Sequence, residues 1–419
     1  MDQMKIQGGN VLRGTVEVSG AKNAALPVLV SAILATRPCT YDRVPDLMDI
    51  RTLCKLLANM GMKVDFDRKA NRATLDPSSI HSQEAPYELV KTMRASVFVL
   101  GPLVAKYGHA KVSLPGGCAI GARPINYHLT GLEKLGAQIQ LEEGYVIANA
   151  KRLIGNRVAF EYPSVGATEN ILMAAVLAKG ESILENCAKE PEIVDLARAL
   201  RAMGAEIEGE GTETIRVQGK DSLESCRHSI IGDRIEAGTF LCAGFATGGE
   251  VRVNGITPEF LEPVLVKLEE SGAVIERGAN FIGIRSKGRP KATDVTTLPH
   301  PGFPTDMQAQ FMAAMTIADG ASVITETVFE NRFMHVPELS RLGADITVRG
   351  KSAVVKGRDK LKGAPVMATD LRASASLIIA GLCAEGQTTV SRIYHLDRGY
   401  ERMEEKLRGL GANIERIPE

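Results

Sequence analysis

The chain has 419 residues, with 50 Lys and Arg against 50 Asp and Glu, and 44% of its residues are apolar. That length exceeds one ordinary core and points to two domains. The balanced charge leaves no global field to gather nucleic acid or an anionic membrane, so any anion site must be assembled locally.

The N-terminal segment, Met1-Asp-Gln-Met-Lys-Ile-Gln-Gly-Gly, has no signal-peptide apolar region. The apolar run over residues 28–35 is too short to span a bilayer. Seven cysteines, without framework or metal-ligand spacing, point to free thiols in a reducing compartment and to no metal. A cytoplasmic protein is expected.

Two kinds of helix alternate along the chain. Helices apolar or small nearly all round are predicted over residues 25–35, 96–105, 170–178, 239–246, 308–317 and 374–383, a pattern expected of enclosed helices. β-rich runs follow, such as residues 322–328 and 388–393. Amphipathic helices come next, and each ends in one motif. Its copies are Met60-Gly61-Met62-Lys63-Val64, Leu135-Gly136-Ala137-Gln138-Ile139 and Met203-Gly204-Ala205-Glu206-Ile207. The last three are Ser271-Gly272-Ala273-Val274-Ile275, Leu342-Gly343-Ala344-Asp345-Ile346 and Leu410-Gly411-Ala412-Asn413-Ile414. The glycines lie 75, 68, 68, 71 and 68 residues apart, a period that identifies six copies of one unit. Glycine there can take positive φ and turn the chain into a strand.

The sixth copy stops after Ile414 without its closing strand pair, and residues 5–18 resemble residues 354–367. The fold class expected is therefore α/β, two domains, each of three repeated α/β units around buried helices, an inside-out α/β barrel. The N-terminal domain is placed at residues 22–229 and the C-terminal domain at residues 1–21 plus 230–419. The active site is expected in the cleft between them, a common place for ligands.

With the units aligned, unusual residues collect at two equivalent places. One is the start of the buried helix, with Lys22, Asn23, Arg94, Ser164 to Thr168, Asp306 and Arg372. The other is the turn after the first strand, with residues 115–124, Val328 to Arg332, and Asp397-Arg398. Free N–H groups and basic side chains at helix starts suit anions. Three glycines between Pro115 and Pro124 suit a mobile lid, and Cys118 near Arg123 suits thiolate character. The same stretch also reads as a tight turn carrying a half-buried cysteine. Each isolated Arg or Lys also reads as a surface charge; recurrence at equivalent positions favours function. Asp49, Asp233 and Glu236 read as solvated or capping residues, and His128, His335 and His395 as hydrogen-bonding ones.

Several segments carry a family resemblance: Ser19-Gly-Ala-Lys-Asn-Ala-Ala-Leu-Pro, Lys91-Thr-Met-Arg-Ala-Ser, the Pro115 to Pro124 loop, and Pro163-Ser-Val-Gly-Ala-Thr. Phe303-Pro-Thr-Asp-Met-Gln-Ala-Gln, Glu326-Thr-Val-Phe-Glu-Asn-Arg-Phe, Ala368-Thr-Asp-Leu-Arg-Ala-Ser and Asp397-Arg-Gly-Tyr-Glu continue it. In this order they resemble the enolpyruvyl transferase family, and within it the UDP-N-acetylglucosamine 1-carboxyvinyltransferases, along essentially the whole chain. The resemblance implies two domains of threefold-repeated α/β units. It also implies addition of a sugar 3′-hydroxyl to phosphoenolpyruvate with loss of phosphate, the first committed step of peptidoglycan synthesis.

By this resemblance Lys22, Asn23, Arg123 and Arg398 bind phosphoenolpyruvate, with Arg332 and Arg372 nearby for a carboxylate or the intermediate. Asp306 takes the hydroxyl proton, and its cationic neighbours should keep it ionised. Cys118 protonates the methylene carbon and can form a covalent thioketal with phosphoenolpyruvate. Glu330 and Asp370 orient the cations. The UDP sugar is implied to meet Asn23, Arg94, Arg123, Pro124, Ile125, Asn126, Tyr127, Pro163, Ser164, Val165, Gly166, Thr305, Asp306 and Val328. No metal or organic cofactor is required, and no nucleic acid or membrane partner; oligomeric state stays open. Asn126 stands where the family usually has Asp, and Tyr162 where some relatives have Lys, departures that bear on nucleotide-sugar affinity and not on the reaction type. The sister enzyme acting on 3-phosphoshikimate is the nearest alternative, and the cysteine-bearing loop and Arg123-Pro124 weigh against it. A binding scaffold without activity would not concentrate cations at equivalent turns. A nucleic-acid end-processing enzyme would need basic–aromatic interleaving, which the sequence lacks.

Overall fold

The computed structural model describes residues 2–91, 93–114 and 125–418. These form two compact units, one of residues 20–114 and 125–231, the other of residues 2–19 and 232–418. Each has its own apolar core.

Among the described residues, six four-stranded sheets share one order. A short leading strand runs into the buried helix, and the strand after that helix returns parallel to it, a βαβ crossover. An amphipathic helix then leads to an antiparallel hairpin that completes the sheet. In the fifth copy these strands are Val295–Thr296, Ala321–Thr325, Asp345–Arg349 and Ser352–Lys356.

Two copies are closed by distant segments. Arg227–Ser229 leads the first sheet, parallel to Cys39–Asp42. Arg13–Glu17 leads the fourth, parallel to Glu250–Asn254. Asp2–Gln7 lies inside the sixth sheet, antiparallel to Gln387–Ser391 on one side and Asn413–Pro418 on the other. This revises the reading that the sixth copy lacks both hairpin strands. It carries one of them, Asn413–Pro418, and only the other comes from the N-terminal segment.

The repeated glycine is a helix cap. All six, Gly61, Gly136, Gly204, Gly272, Gly343 and Gly411, have φ between 91° and 100°. In each copy the glycine N–H donates three residues back and the next N–H five residues back, as Gly343 N to Ser340 O and Ala344 N to Leu339 O. These paired bonds are a Schellman cap, which satisfies the last helical carbonyls.

The buried helices start earlier than their apolar runs. They span Lys22–Ser31, Val165–Ala175, Arg234–Ala246 and Leu371–Cys383, with Leu100–Tyr107 and Gln308–Met315 preceded by 3-10 turns at Arg94–Val99 and Thr305–Met307. Apolar periodicity does not register a first turn, whose N–H groups accept polar company. The strands end earlier than read: Ala321–Thr325 stops before Glu326, and Gln387–Ser391 stops before Arg392. Within the first unit the helices pack closely. A Cβ on Gly101 would stand 2.3 Å from Asn170 Oδ1, so only glycine fits that approach.

Candidate active site

Helix starts carry the charged residues in both units. Asp233 caps Arg234–Ala246 by accepting from Ile235 N at 2.9 Å and Glu236 N at 3.0 Å. Asp370 caps Leu371–Cys383, accepting from Arg372 N at 2.8 Å and Ala373 N at 3.0 Å. Ser164 caps Val165–Ala175 through Ala167 N. Each cap satisfies N–H groups that the helix itself leaves unpaired.

In the unit of residues 232–418, Asp306, Arg332 and Arg372 come together. Asp306 Oδ1 accepts from Arg332 Nη2 at 2.8 Å, and Oδ2 accepts from Arg372 Nη2 at 2.9 Å and Nε at 3.2 Å. Both arginines are buried, at 4% and 3% exposure, so the carboxylate is what keeps their charges tolerable. Burial opposes the charge on Arg372, yet Asp306 beside it raises its pKa above the usual value. Within the trio two positive charges face one negative, and Asp233 adds a second carboxylate charge that Arg372 feels.

The other predicted residues of this unit divide. Asp370 acts on Arg372 through the helix end, with its carboxylate on backbone N–H groups. Glu330, expected to orient a cation, is exposed, and the carboxylate on Arg332 is that of Asp306. Arg398 closes the 3-10 helix Ile393–Arg398 and is half-buried; after burial, its charge is the next cause lowering the pKa of His395. Thr305 and Val328 are tied together by Glu326, a residue given no role from sequence. Thr305 Oγ1 donates to Glu326 Oε2 at 2.8 Å, and Thr297 Oγ1 and Val328 N donate to Oε1, each at 2.8 Å. The signal in the sequence is a carboxylate inside the β-rich run Ser322-Val-Ile-Thr-Glu-Thr-Val, which the structure buries to 3% exposure.

In the unit of residues 20–231, Lys22 opens its helix and meets Asp49, Nζ to Oδ2 at 3.4 Å, with both residues buried. Asp49, read as a solvated or capping residue, is the buried counter-ion of Lys22. Asn23 is half-buried beside it. Gly166, in the first turn of helix Val165–Ala175, lies against His128, which also feels the charge of Arg94. A Cβ on Gly166 would lie 3.4 Å from His128 Cε1, and burial followed by the charge of Arg94 lowers the His128 pKa to about 3. The Asn170 amide is oriented by Gly101 N donating to Oδ1 at 2.8 Å, so Nδ2 must donate to His128 Nδ1 at 2.9 Å. Ile125 is buried, Asn126 is the exposed first residue of helix Asn126–Lys134, and Tyr127 is half-buried. Pro163, Ser164, Val165 and Gly166 are all half-buried. Cys118, Arg123 and Pro124, with the rest of the expected lid, lie outside the described residues.

The family described as EPSP synthase (3-phosphoshikimate 1-carboxyvinyltransferase) matches residues 6–407. A UDP-N-acetylglucosamine 1-carboxyvinyltransferase from Nitratidesulfovibrio vulgaris (strain DSM 19637 / Miyazaki F) is 58% identical over 420 aligned residues, covering 100% of both chains. One from Psychrobacter sp. (strain PRwf-1) is 55% identical, covering 100% of this chain and 97% of that protein. The chain belongs to the enolpyruvyl transferase family. The enolpyruvyl transferase NikO from Streptomyces tendae superposes with TM-score 0.89 at 28% identity over 99% of each chain. EPSP synthase from Acinetobacter baumannii superposes with TM-score 0.77 at 20% identity over 100% of each chain, a likeness of fold. The protein is thus an enzyme with the family's two-domain inside-out α/β barrel, acting on small molecules. Among the described residues no helix is long and apolar enough to cross a membrane, and no group of three or more His, Cys, Asp or Glu could hold a metal ion.

Proposed function

We propose that the enzyme transfers the enolpyruvyl group of phosphoenolpyruvate to the 3′-hydroxyl of UDP-N-acetylglucosamine, releasing phosphate, as the first committed step of peptidoglycan synthesis in the cytoplasm. The full-length relatives at 55% and 58% identity, named for that reaction, support the acceptor. The observation that carries the chemistry is the Asp306 carboxylate held by two buried guanidiniums.

In this reading Lys22, Asn23, Arg123 and Arg398 bind phosphoenolpyruvate, and Arg332 and Arg372 receive its carboxylate or the tetrahedral intermediate. Arginine forks suit both groups. An arriving anion competes with Asp306 for Arg332 and so frees Oδ1, while Arg372 keeps its hold on Oδ2. Asp306 then takes the proton of the 3′-hydroxyl as its oxygen attacks C2. Cys118 delivers a proton to C3, and loss of phosphate with a C3 proton restores the double bond. The UDP sugar rests on Asn23, Arg94, residues 123–127, Pro163 to Gly166, Thr305 and Val328.

The test is phosphate release from phosphoenolpyruvate with UDP-N-acetylglucosamine or 3-phosphoshikimate as acceptor. Turnover with the nucleotide sugar and none with 3-phosphoshikimate is expected; the opposite result would transfer the enzyme to the sister reaction.

A further inference from the structure

Behind Asp306 lies a buried polar column made of Thr239, Gln310 and Tyr400, at 0%, 0% and 2% exposure. They come from three separate elements: helix Arg234–Ala246, helix Gln308–Met315 and the segment after the 3-10 helix Ile393–Arg398. The direction of each bond can be assigned. The Thr239 hydroxyl donates its one proton to Ile235 O at 2.7 Å, so in its 2.9 Å bond with Tyr400 it accepts and the phenol donates. Burial is the main cause raising the Tyr400 pKa, which keeps that proton in place. The phenol oxygen in turn accepts from Gln310 Nε2 at 3.1 Å, an amide that also stands 3.2 Å from Thr239 Oγ1.

Gln310 Nε2 also donates to the backbone carbonyl of Asp306 at 2.8 Å, one turn earlier. On the other side of the column, the Tyr400 ring lies 5.5 Å from the guanidinium carbon of Arg372, the group that forks onto Asp306 Oδ2. Tyr400 therefore reaches Asp306 by two routes, through Gln310 to its backbone and through Arg372 to its carboxylate. A side chain gripped at both ends has little angular freedom, which matters because small misplacements of a reacting group cost rate steeply.

We propose that Gln310 and Tyr400, anchored by Thr239, are positioning residues that hold the Asp306 carboxylate in its reactive orientation. The proposal rests on Asp306 being the base. None of the three touches substrate in it; they act through Asp306 and Arg372.

The experiment is steady-state phosphate release by the full chain, with kcat and KM for both substrates and a thermal melt for each variant. Tyr400→Phe and Thr239→Val should each lower kcat by about ten- to a hundred-fold, with KM nearly unchanged. Thr239→Ser, which keeps the hydroxyl, should recover most of the rate. Added to Asp306→Asn, Tyr400→Phe should cost little more, because both changes disable one group. Wild-type kcat in Tyr400→Phe, beside a disabled Asp306→Asn, would overturn the proposal and leave the base assignment standing. A loss confined to KM, or one that multiplies fully with Asp306→Asn, would also overturn it. Near-wild-type turnover in Asp306→Asn would remove the base assignment and the proposal together.

Discussion

Arg372 places two donors on one oxygen of Asp306, Nη2 at 2.9 Å and Nε at 3.2 Å, a grip that only a planar fork can make. Arg372→Lys keeps the charge and loses the fork. It should leave the protein folded while lowering kcat/KM for phosphoenolpyruvate by about tenfold or more. Equal kcat/KM values in steady-state assays would show that the fork has no part in binding or turnover.

Asp306→Asn retains the shape of the side chain and removes its basicity. Turnover should fall by about 10²–10⁴-fold with much smaller changes in KM. Stability should also fall, by about 1–3 kcal/mol, since two buried guanidiniums lose a charged acceptor. A kcat within a few-fold of wild type would assign the base elsewhere.

His128 provides a pH test. Its Nδ1 faces an amide donor whose orientation is fixed, so the ring must be neutral, and burial lowers its pKa to about 3. His335, also buried, is lowered to about 4. For a group whose folded pKa lies below the unfolded value near 6.5, the unfolded state takes up the proton first. The stability from keeping the ring neutral is therefore complete above about pH 6.5 and is lost as pH falls toward the folded value. Between pH 7.5 and 5 each ring should contribute a loss of about 2 kcal/mol. His128→Gln, melted across that range, should show a flatter pH dependence than wild type. In the wild type the His128 ring resonances should not titrate there.

Thiol reactivity can be ranked. Burial pushes Cys54, Cys187, Cys242 and Cys383 up to about 12, and the hydrogen bond with Cys39 raises Cys226. Cys39 is lowered to about 7, chiefly by its hydrogen bond with Cys226, but it is fully buried. The epoxide fosfomycin, whose phosphonate should be drawn to the cations proposed to bind phosphoenolpyruvate, should therefore alkylate Cys118 first, and peptide mapping that found another cysteine labelled ahead of it would reject the role proposed for Cys118. Hydrogen exchange over residues 115–124 should slow when the UDP sugar is added. No change there would discard the lid.

The parts of the fold that were legible from sequence are those fixed by near neighbours. A Schellman cap needs one glycine in a defined local context, so six caps appear as six spaced motifs. The apolar pattern begins three to five residues inside Lys22–Ser31, Val165–Ala175, Arg234–Ala246 and Leu371–Cys383, because polar first turns break it. At the site, Asp306 and Arg372 stood out by resemblance to the family. Glu326, Gln310 and Tyr400 lie within segments that carry the resemblance, yet it gives them no role, and neither does any pattern around Asp49, since their meaning depends on partners brought in by folding. Tyr400 is 90 residues from Gln310 and 161 from Thr239, and no local pattern joins them.

The strand Asp2–Gln7 allows a test by rearrangement. A chain of residues 231–419 leaves the sixth sheet without its interior strand, exposing unpaired N–H and C=O groups along both neighbours. It should melt well below the same chain with residues 1–20 appended after Glu419. Equal melting temperatures would mean that the strand adds nothing to that sheet.

The same strand sets an order of events during synthesis. Asp2–Gln7 leaves the ribosome about 380 residues ahead of Gln387–Ser391. At about 5–20 residues per second the wait is roughly 20–80 s. During it Met4 and Ile6, fully buried in the finished protein, have no sheet to enter. All strands of the unit formed by residues 20–231 are available much sooner. Nascent chains stalled before residue 387 should therefore carry one finished unit and one that remains open, the open one dependent on chaperones to keep its first strand from pairing elsewhere.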